Sequence, residues 1–297
     1  MRLSAPFSLN EKGVEILINK LACSRLYPPY IIDLSKVKFI DPIGMIGILE
    51  IGRFLLSEGR TPDLILPVDD EVIKYMERMD FFKHIIPIFG EIPTDILESH
   101  YLRSSKSDVL LEITPIVHNK DIHHVVGKVK ERAYQVLSTH LGYNKKAVIG
   151  FIVALSEVCQ NIVEHSQSTG FVGIQKYSFK KKLGRNIVKI AVSDIGIGIK
   201  ESLSPRYKSR YPLLWSDIIA IEEALLKGAS RFEDEGRGQG LSTVRKFIKK
   251  WDGQISIRSG RAKYSIFPSW SNGTSKISDL PFFPGTQISI LLPELKP

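Results

Sequence analysis

The sequence has little cysteine: two residues, Cys23 and Cys159, in a chain of 297. They lie too far apart to build a disulfide framework, and both read as buried small residues of a reducing compartment, hence a cytoplasmic protein. Also missing is any continuous apolar run of the ~18 residues that a membrane-spanning helix needs. The opening MRLSAPFSLN lacks the apolar core of a signal peptide. Dense blocks of one charge are scarce. The net charge is +9, yet only Lys180-Lys181-Lys182 and Lys249-Lys250 cluster, so the basicity reads as a solvated surface and not as a nucleic-acid footprint. What is there, 43% apolar and 25% charged residues, is ordinary for a soluble globular chain, and the length suggests about two domains.

The chemistry concentrates in Ser156 to Ser166, SEVCQNIVEHS. On a helix, Glu157, Asn161 and His165 fall at i, i+4 and i+8 and share one face, while Phe151, Ala154, Leu155, Val158 and Ile162 form an apolar face opposite. A carboxylate can act as a general base, and a carboxamide oxygen is a hard neutral ligand for Mg²⁺. Further on, Asn186 to Val192 alternates as a strand and runs into Asp194-Ile-Gly196-Ile-Gly198, a tight turn. A second glycine-rich segment, Gly236-Arg237-Gly238-Gln-Gly240-Leu241, precedes the helical period of STVRKFIKKW. Glycines ahead of a helix expose N–H groups that can cradle phosphates.

In this order and spacing the three segments resemble the N, G1 and G2 boxes of the GHKL (histidine-kinase-like) ATPase superfamily, which includes DNA gyrase, the sensor kinases and the anti-sigma-factor kinases. The ending Gly285-Thr286-Gln-Ile-Ser-Ile-Leu-Leu-Pro293 is similar to that fold's glycine-threonine segment and last strand. The resemblance covers about Leu110 to Pro293, and the variant with Glu157, Asn161 and His165 looks closest to the anti-sigma-factor serine kinases. It implies ATP and Mg²⁺ as ligands. Asn161 would bind the metal, and Asp194 would accept the adenine amino group. Gly196, Gly198 and Thr286 would shape the adenine pocket. Gly236, Gly238, Gly240 and Leu241 would face the phosphates, with Arg231 and Arg237 reaching the γ-phosphate. Glu157 would orient or deprotonate the attacking group, and His165 would assist it or pack as structure. His118, His123 and His124 lack the sequence context of a sensor kinase's phosphoacceptor.

Ahead of this, Tyr30 to Leu34 and Val37 to Ile40 read as short strands, Asp41 to Gly44 as a turn, and Met45 to Leu56 as a helix. Asp63 to Pro67 reads as a strand and Asp69 to Met79 as a helix with acidic residues in its first turn. The pattern, through IIDLSKVKFIDPIG, resembles the STAS (anti-sigma-factor antagonist) fold. Where switched members carry a hydroxyl before the loop glycine, this chain has Ile43, preceded by Pro42, so the resemblance implies a docking or sensing module and not a phospho-switch.

The expected fold is therefore α/β (α+β). A STAS-like domain (1–90) and a polar linker (91–108) precede a GHKL two-layer α/β sandwich with a mixed sheet (109–297). In the second domain, Leu110 to Pro115, Phe171 to Phe179, Asn186 to Asp194, Gln254 to Ser259, Ala262 to Phe267 and Thr286 to Leu292 are expected as strands. Asp121 to Leu141, Lys145 to His165 and Leu213 to Lys227 are expected as helices, and Ser269 to Gly285 as a surface loop. Three functions fit: a protein serine kinase or switch acting on a sigma-factor-like or antagonist-like partner, an ATP-hydrolysing conformational machine that forms a homodimer, or an ATP-binding module without turnover.

Overall fold

Short apolar runs alternate with amphipathic helices through the N-terminal third. In the computed structural model, which describes residues 1–24, 27–90, 109–134, 137–138, 141–178, 184–230, 240–271 and 273–295, they pair side by side. β1 (Arg2–Ser4), β3 (Tyr30–Asp33) and β5 (Pro62–Ile65) form a parallel sheet in the order β1-β3-β5, and β2 (Ser8–Leu9) pairs in parallel with β4 (Phe39–Ile40). No element was expected ahead of Tyr30, yet α1 (Glu11–Cys23) forms there because Asn10 caps it, accepting from the N–H groups of Lys12 and Gly13. Cys23, at its end, is exposed and not buried as expected, whereas Cys159 is buried.

The expected turn at Asp41 is instead the start of α2 (Pro42–Ser57). Asp41 Oδ1 accepts the Gly44 N–H at 3.0 Å, and Pro42 takes the first helical position, where its missing N–H costs nothing. Every residue from Pro42 to Gly52 is buried, Glu50 included. A helix apolar on all sides must be covered on all sides, and α2 is. α3 (Asp70–Arg78) follows as expected, capped by Asp69. The linker predicted at 91–108 lies outside the described residues.

The C-terminal sheet has the order β6-β7-β8-β10-β9, built from β6 (Val109–Ile116), β7 (Gly170–Ser178), β8 (Asn186–Asp194), β9 (Gln254–Ile266) and β10 (Lys276–Pro293). All its described pairings are antiparallel, where a mixed sheet was expected. Two expected strands merge into the long β9. Most of the expected surface loop at 269–285 is strand, because Lys276–Asp279 pair back onto Ser265–Ala262. The helices are α4 (Asn119–Ala133), α5 (Lys145–Asn161), α6 (Gly198–Tyr207), α7 (Asp217–Glu222) and α8 (Gly240–Lys250). Of these, α6 was not expected. The helix expected from Leu213 starts at Asp217 behind the cap Ser216, and ends in a π-turn, Glu223–Lys227.

By length and hydropathy Lys145–Glu164 is apolar enough to cross a membrane, contrary to the sequence reading. Its apolar side, from Ala147 through Phe151 and Leu155 to Cys159, is instead buried in the protein core.

Strand alternation sends side chains to both faces of the sheet. Val172 and Ile174 of β7 and Val188, Ile190 and Val192 of β8 join α4, α5 and α8 in one core. Phe171 and Ala191, from the opposite face, join Phe283 and the N-terminal segment in a second core with Ile46, Leu49 and Phe89. The sheet is thus covered on both sides. Ion pairs rim the second contact: Lys189 to Asp41 at 2.8 Å, Arg258 to Glu15 at 3.1 Å and Lys263 to Glu11 at 2.6 Å. A bond between the Tyr75 and Tyr177 hydroxyls at 2.8 Å joins them.

Candidate functional site

The apolar alternation of β8 ends in one acidic residue. Asp194 is 4% exposed and closes a strand whose buried side chains are hydrocarbon apart from Ser193 beside it. Its Oδ1 accepts the Gly196 N–H at 2.8 Å, and the Thr286 N–H also bonds to the carboxyl. Burial pushes its pKa up to about 7 despite these bonds and the Arg53 guanidinium. The turn after it is tightly packed. A Cβ on Gly196 would lie 2.0 Å from the Ser166 carbonyl oxygen, so no side chain fits there. Gly198 has φ +75, and the following N–H, of Ile199, donates to Ser259 Oγ at 2.9 Å. The turn is therefore clamped between the end of the α5 segment and β9.

Facing Asp194 across a cleft of about 1040 Å³, open mouth included, stands the end of α5. Glu157 and Asn161 line it, as their spacing predicts. Burial raises the Glu157 pKa, and the charge of Glu164 adds to the effect. The sequence reading missed Glu164. The helix widens at Asn161 into a π-turn, Ile162–Ser166, and Glu164 lines the cleft with its Oε1 accepting from Gln160 Nε2 at 2.5 Å. Its position seven residues beyond Glu157, two helical turns, is the signal that could have found it. The side chain of His165 lies outside the described residues.

A third wall is the start of α8. Gly240 and Leu241 line the cleft, and a Cβ on Gly240 would meet Glu157 Oε2 at 2.8 Å, so this helix N-terminus sits directly against the carboxylate. Gly198, Ser202 and Leu203 of α6, Ser230, and Thr286 of β10 complete the lining. Of the expected site residues, Glu157, Asn161, Asp194, Gly198, Gly240, Leu241 and Thr286 thus come together around one cleft, with Gly196 holding Asp194 from the turn. Arg231, Gly236, Arg237 and Gly238 lie outside the described residues.

The cleft is lined by apolar and polar groups together, as small-molecule sites are. Its donor set fits Mg²⁺: Glu157, Asn161 and Glu164 offer hard oxygens on one wall, and among the described residues no cluster of three His, Cys, Asp or Glu forms a closed metal cage.

Residues 148–295 match the family model described as Histidine kinase-, DNA gyrase B-, and HSP90-like ATPase. The match begins inside α5 and bears out the superfamily read from the three motifs, while β6 and α4 precede it. No curated protein matches the chain.

Proposed function

We propose that the protein binds ATP with Mg²⁺ in this cleft and acts as an intracellular regulator of the anti-sigma type, phosphorylating a protein partner on serine or threonine. The observation that carries the reading is the buried carboxylate of Asp194, aimed into a cleft whose opposite wall is Glu157, Asn161 and Glu164. Asp194 accepts the adenine amino group, which gives selectivity for adenine nucleotides. Gly198 and Thr286 bound the adenine, and the N-terminus of α8 turns towards the phosphates. Asn161, with Glu164 beside it, holds Mg²⁺, which when bound draws the triphosphate oxygens together and offsets their charge. Glu157, with its proton affinity raised by burial, takes the proton from the attacking hydroxyl.

In this reading residues 1–90 are a STAS-like docking or sensing domain, 91–108 a linker and 109–297 the ATPase domain. Burial of Asp41 and Ile43, at 0% and 4% exposure, supports docking over a phospho-switch in the N-terminal part. Calorimetric titration with ATP and Mg²⁺ tests the site. Wild type binds, Asp194→Asn binds weakly, and Asn161→Ala loses its dependence on Mg²⁺. A wild type that binds no nucleotide overturns the reading.

A second reading is an ATP-hydrolysing conformational machine that works as a homodimer, favoured by the position of Glu157, which would serve equally to activate water. Phosphate release without any partner, abolished in Glu157→Ala, supports it. Transfer to a protein hydroxyl supports the kinase.

A further inference from the structure

The face of β8 turned away from the cleft carries an arrangement that the nucleotide site alone does not require. α2 presents Glu50 and Arg53 one turn apart to the end of β7 and β8. Arg53 Nη1 donates to the Thr169 carbonyl at 3.1 Å, and Nη2 to Thr169 Oγ1 at 2.6 Å. The guanidinium lies over the Phe171 ring, 5.5 Å from its centroid. Thr169 leads into Gly170, which pairs in register with Asp194. The approach there is so close that a Cβ on Gly170 would stand 3.2 Å from Asp194 Cβ and 2.4 Å from the Ser193 carbonyl oxygen. Arg53 therefore grips, from the N-terminal part of the chain, the backbone that abuts the carboxylate on the opposite side of the cleft.

The surroundings are polar where an interface between two cores should be apolar. Glu50 is fully buried, its Oε2 held by Arg53 Nη1 at 2.8 Å and its Oε1 without a partner. Ser193 and Gln287 face each other across β8 and β10, and Ser193 Oγ and Gln287 Nε2 are likewise buried without partners. Unpartnered buried groups of this kind cost stability, and a charged one costs more. Burial raises the Glu50 pKa well above its ordinary value, Arg53 opposes the rise and the Asp194 charge adds to it, while the Arg53 charge also works against the rise that burial causes in Asp194.

Resting on the reading that the cleft binds an adenine nucleotide, we infer that Arg53 is a positioning residue for that nucleotide: through Thr169 and its own charge it keeps Asp194 ionised and aligned to accept the adenine amino group. The nucleotide site is then completed from the N-terminal part of the chain. A displacement of α2 lowers adenine affinity without touching the cleft. The other charged groups around Asp194 do not take this role. Glu50, its pKa raised by burial, supplies no positive charge, and neither do Glu157 and Glu164 across the cleft. Lys189 on β8 is paired with Asp41, and Lys200 on α6 with Glu201.

The test is the pH profile of ATP binding in the full chain, with folding followed by near-UV circular dichroism. Wild-type affinity rises with pH through about 7, where Asp194 loses its proton. Arg53→Met moves that midpoint upward by about one pH unit, the size of an opposite charge removed from a carboxyl's neighbourhood, and weakens binding about tenfold below it. Arg53→Lys restores most of the midpoint. Should Arg53→Met fail to fold, Thr169→Val, which removes one of the two bonds from Arg53 to Thr169 and no charge, moves the midpoint the same way by less. A folded Arg53→Met with an unmoved midpoint, or Arg53→Lys behaving as Arg53→Met does, overturns the inference while leaving ATP binding standing. Absence of binding in wild type at every pH overturns the functional reading itself.

Discussion

The two faces of the C-terminal sheet are buried by different means. On one face, helices α4, α5 and α8 cover apolar side chains but leave a cleft at the strand ends, where polar groups are spaced for a ligand. On the other, the N-terminal segment closes down completely, with aromatic packing at Phe283 and Phe54, 5.4 Å between ring centroids, and ion pairs at the rim. One face pays for openness with a carboxylate whose charge is costly. The other gains stability from closure, yet it too keeps a polar seam where α2 passes behind Asp194. Function and stability are thus divided across the two faces of one sheet, and the seam is where the division fails.

The comparison can be broken first on the closed face. Phe283→Ala, removing a side chain that is 1% exposed, costs about 3–5 kcal/mol of unfolding free energy in chemical denaturation. Glu15→Gln comes next. It leaves Arg258, whose side chain is 3% exposed, without its carboxylate and costs about 3 kcal/mol, moderated by the carbonyl oxygens of Gly260 and Pro281 that Arg258 also meets. On the open face the effects separate. Asp194→Asn lowers ATP affinity by about 10- to 100-fold, the worth of a hydrogen bond to a charged group, while thermal stability holds or rises because a neutral amide replaces a buried charge.

The pH dependence sharpens the same point. Asp194 binds its proton more tightly folded than unfolded, since its pKa is raised from 3.8 to about 7. Its contribution to stability is therefore fully present below the unfolded value and is lost as pH rises through about 7. Over this window thermal melts of the ligand-free protein fall while nucleotide affinity climbs. The smallest expected effect is the control: Glu71→Ala, which breaks an exposed pair with Lys74, leaves the melting temperature unchanged within error.

Local chemistry was legible in the sequence and contact across the chain was not. The α5 face could be read because helical spacing alone sets it, and Asp194 because a polar residue ending an apolar strand stands out. Glu164 could have been read from the same helical spacing, two turns beyond Glu157, although it falls in the π-turn that follows α5. Helix α6 was hidden by Pro205, which its last turn accommodates. The part of β10 ahead of Thr286 was missed because its Ser, Pro and Gly residues read as a loop, and its pairing with Ala262–Ser265 comes from register and not from hydropathy. Arg53 offered no signal at all. Nothing near it in sequence marks a residue that acts on Thr169, 116 positions away.

At the outer border of the sheet, β6 has a register shift between Leu111 and Thr114, and there Ile113 turns its backbone outward. Its N–H donates to the Met79 carbonyl at 2.9 Å, and its carbonyl accepts from His84 Nε2 at 2.9 Å. The backbone groups with which a foreign strand would pair at this point are already spent within the chain. Growth of the sheet past this margin, whether into an ordered pair of molecules or into an aggregate, must first tear Met79 and His84 away.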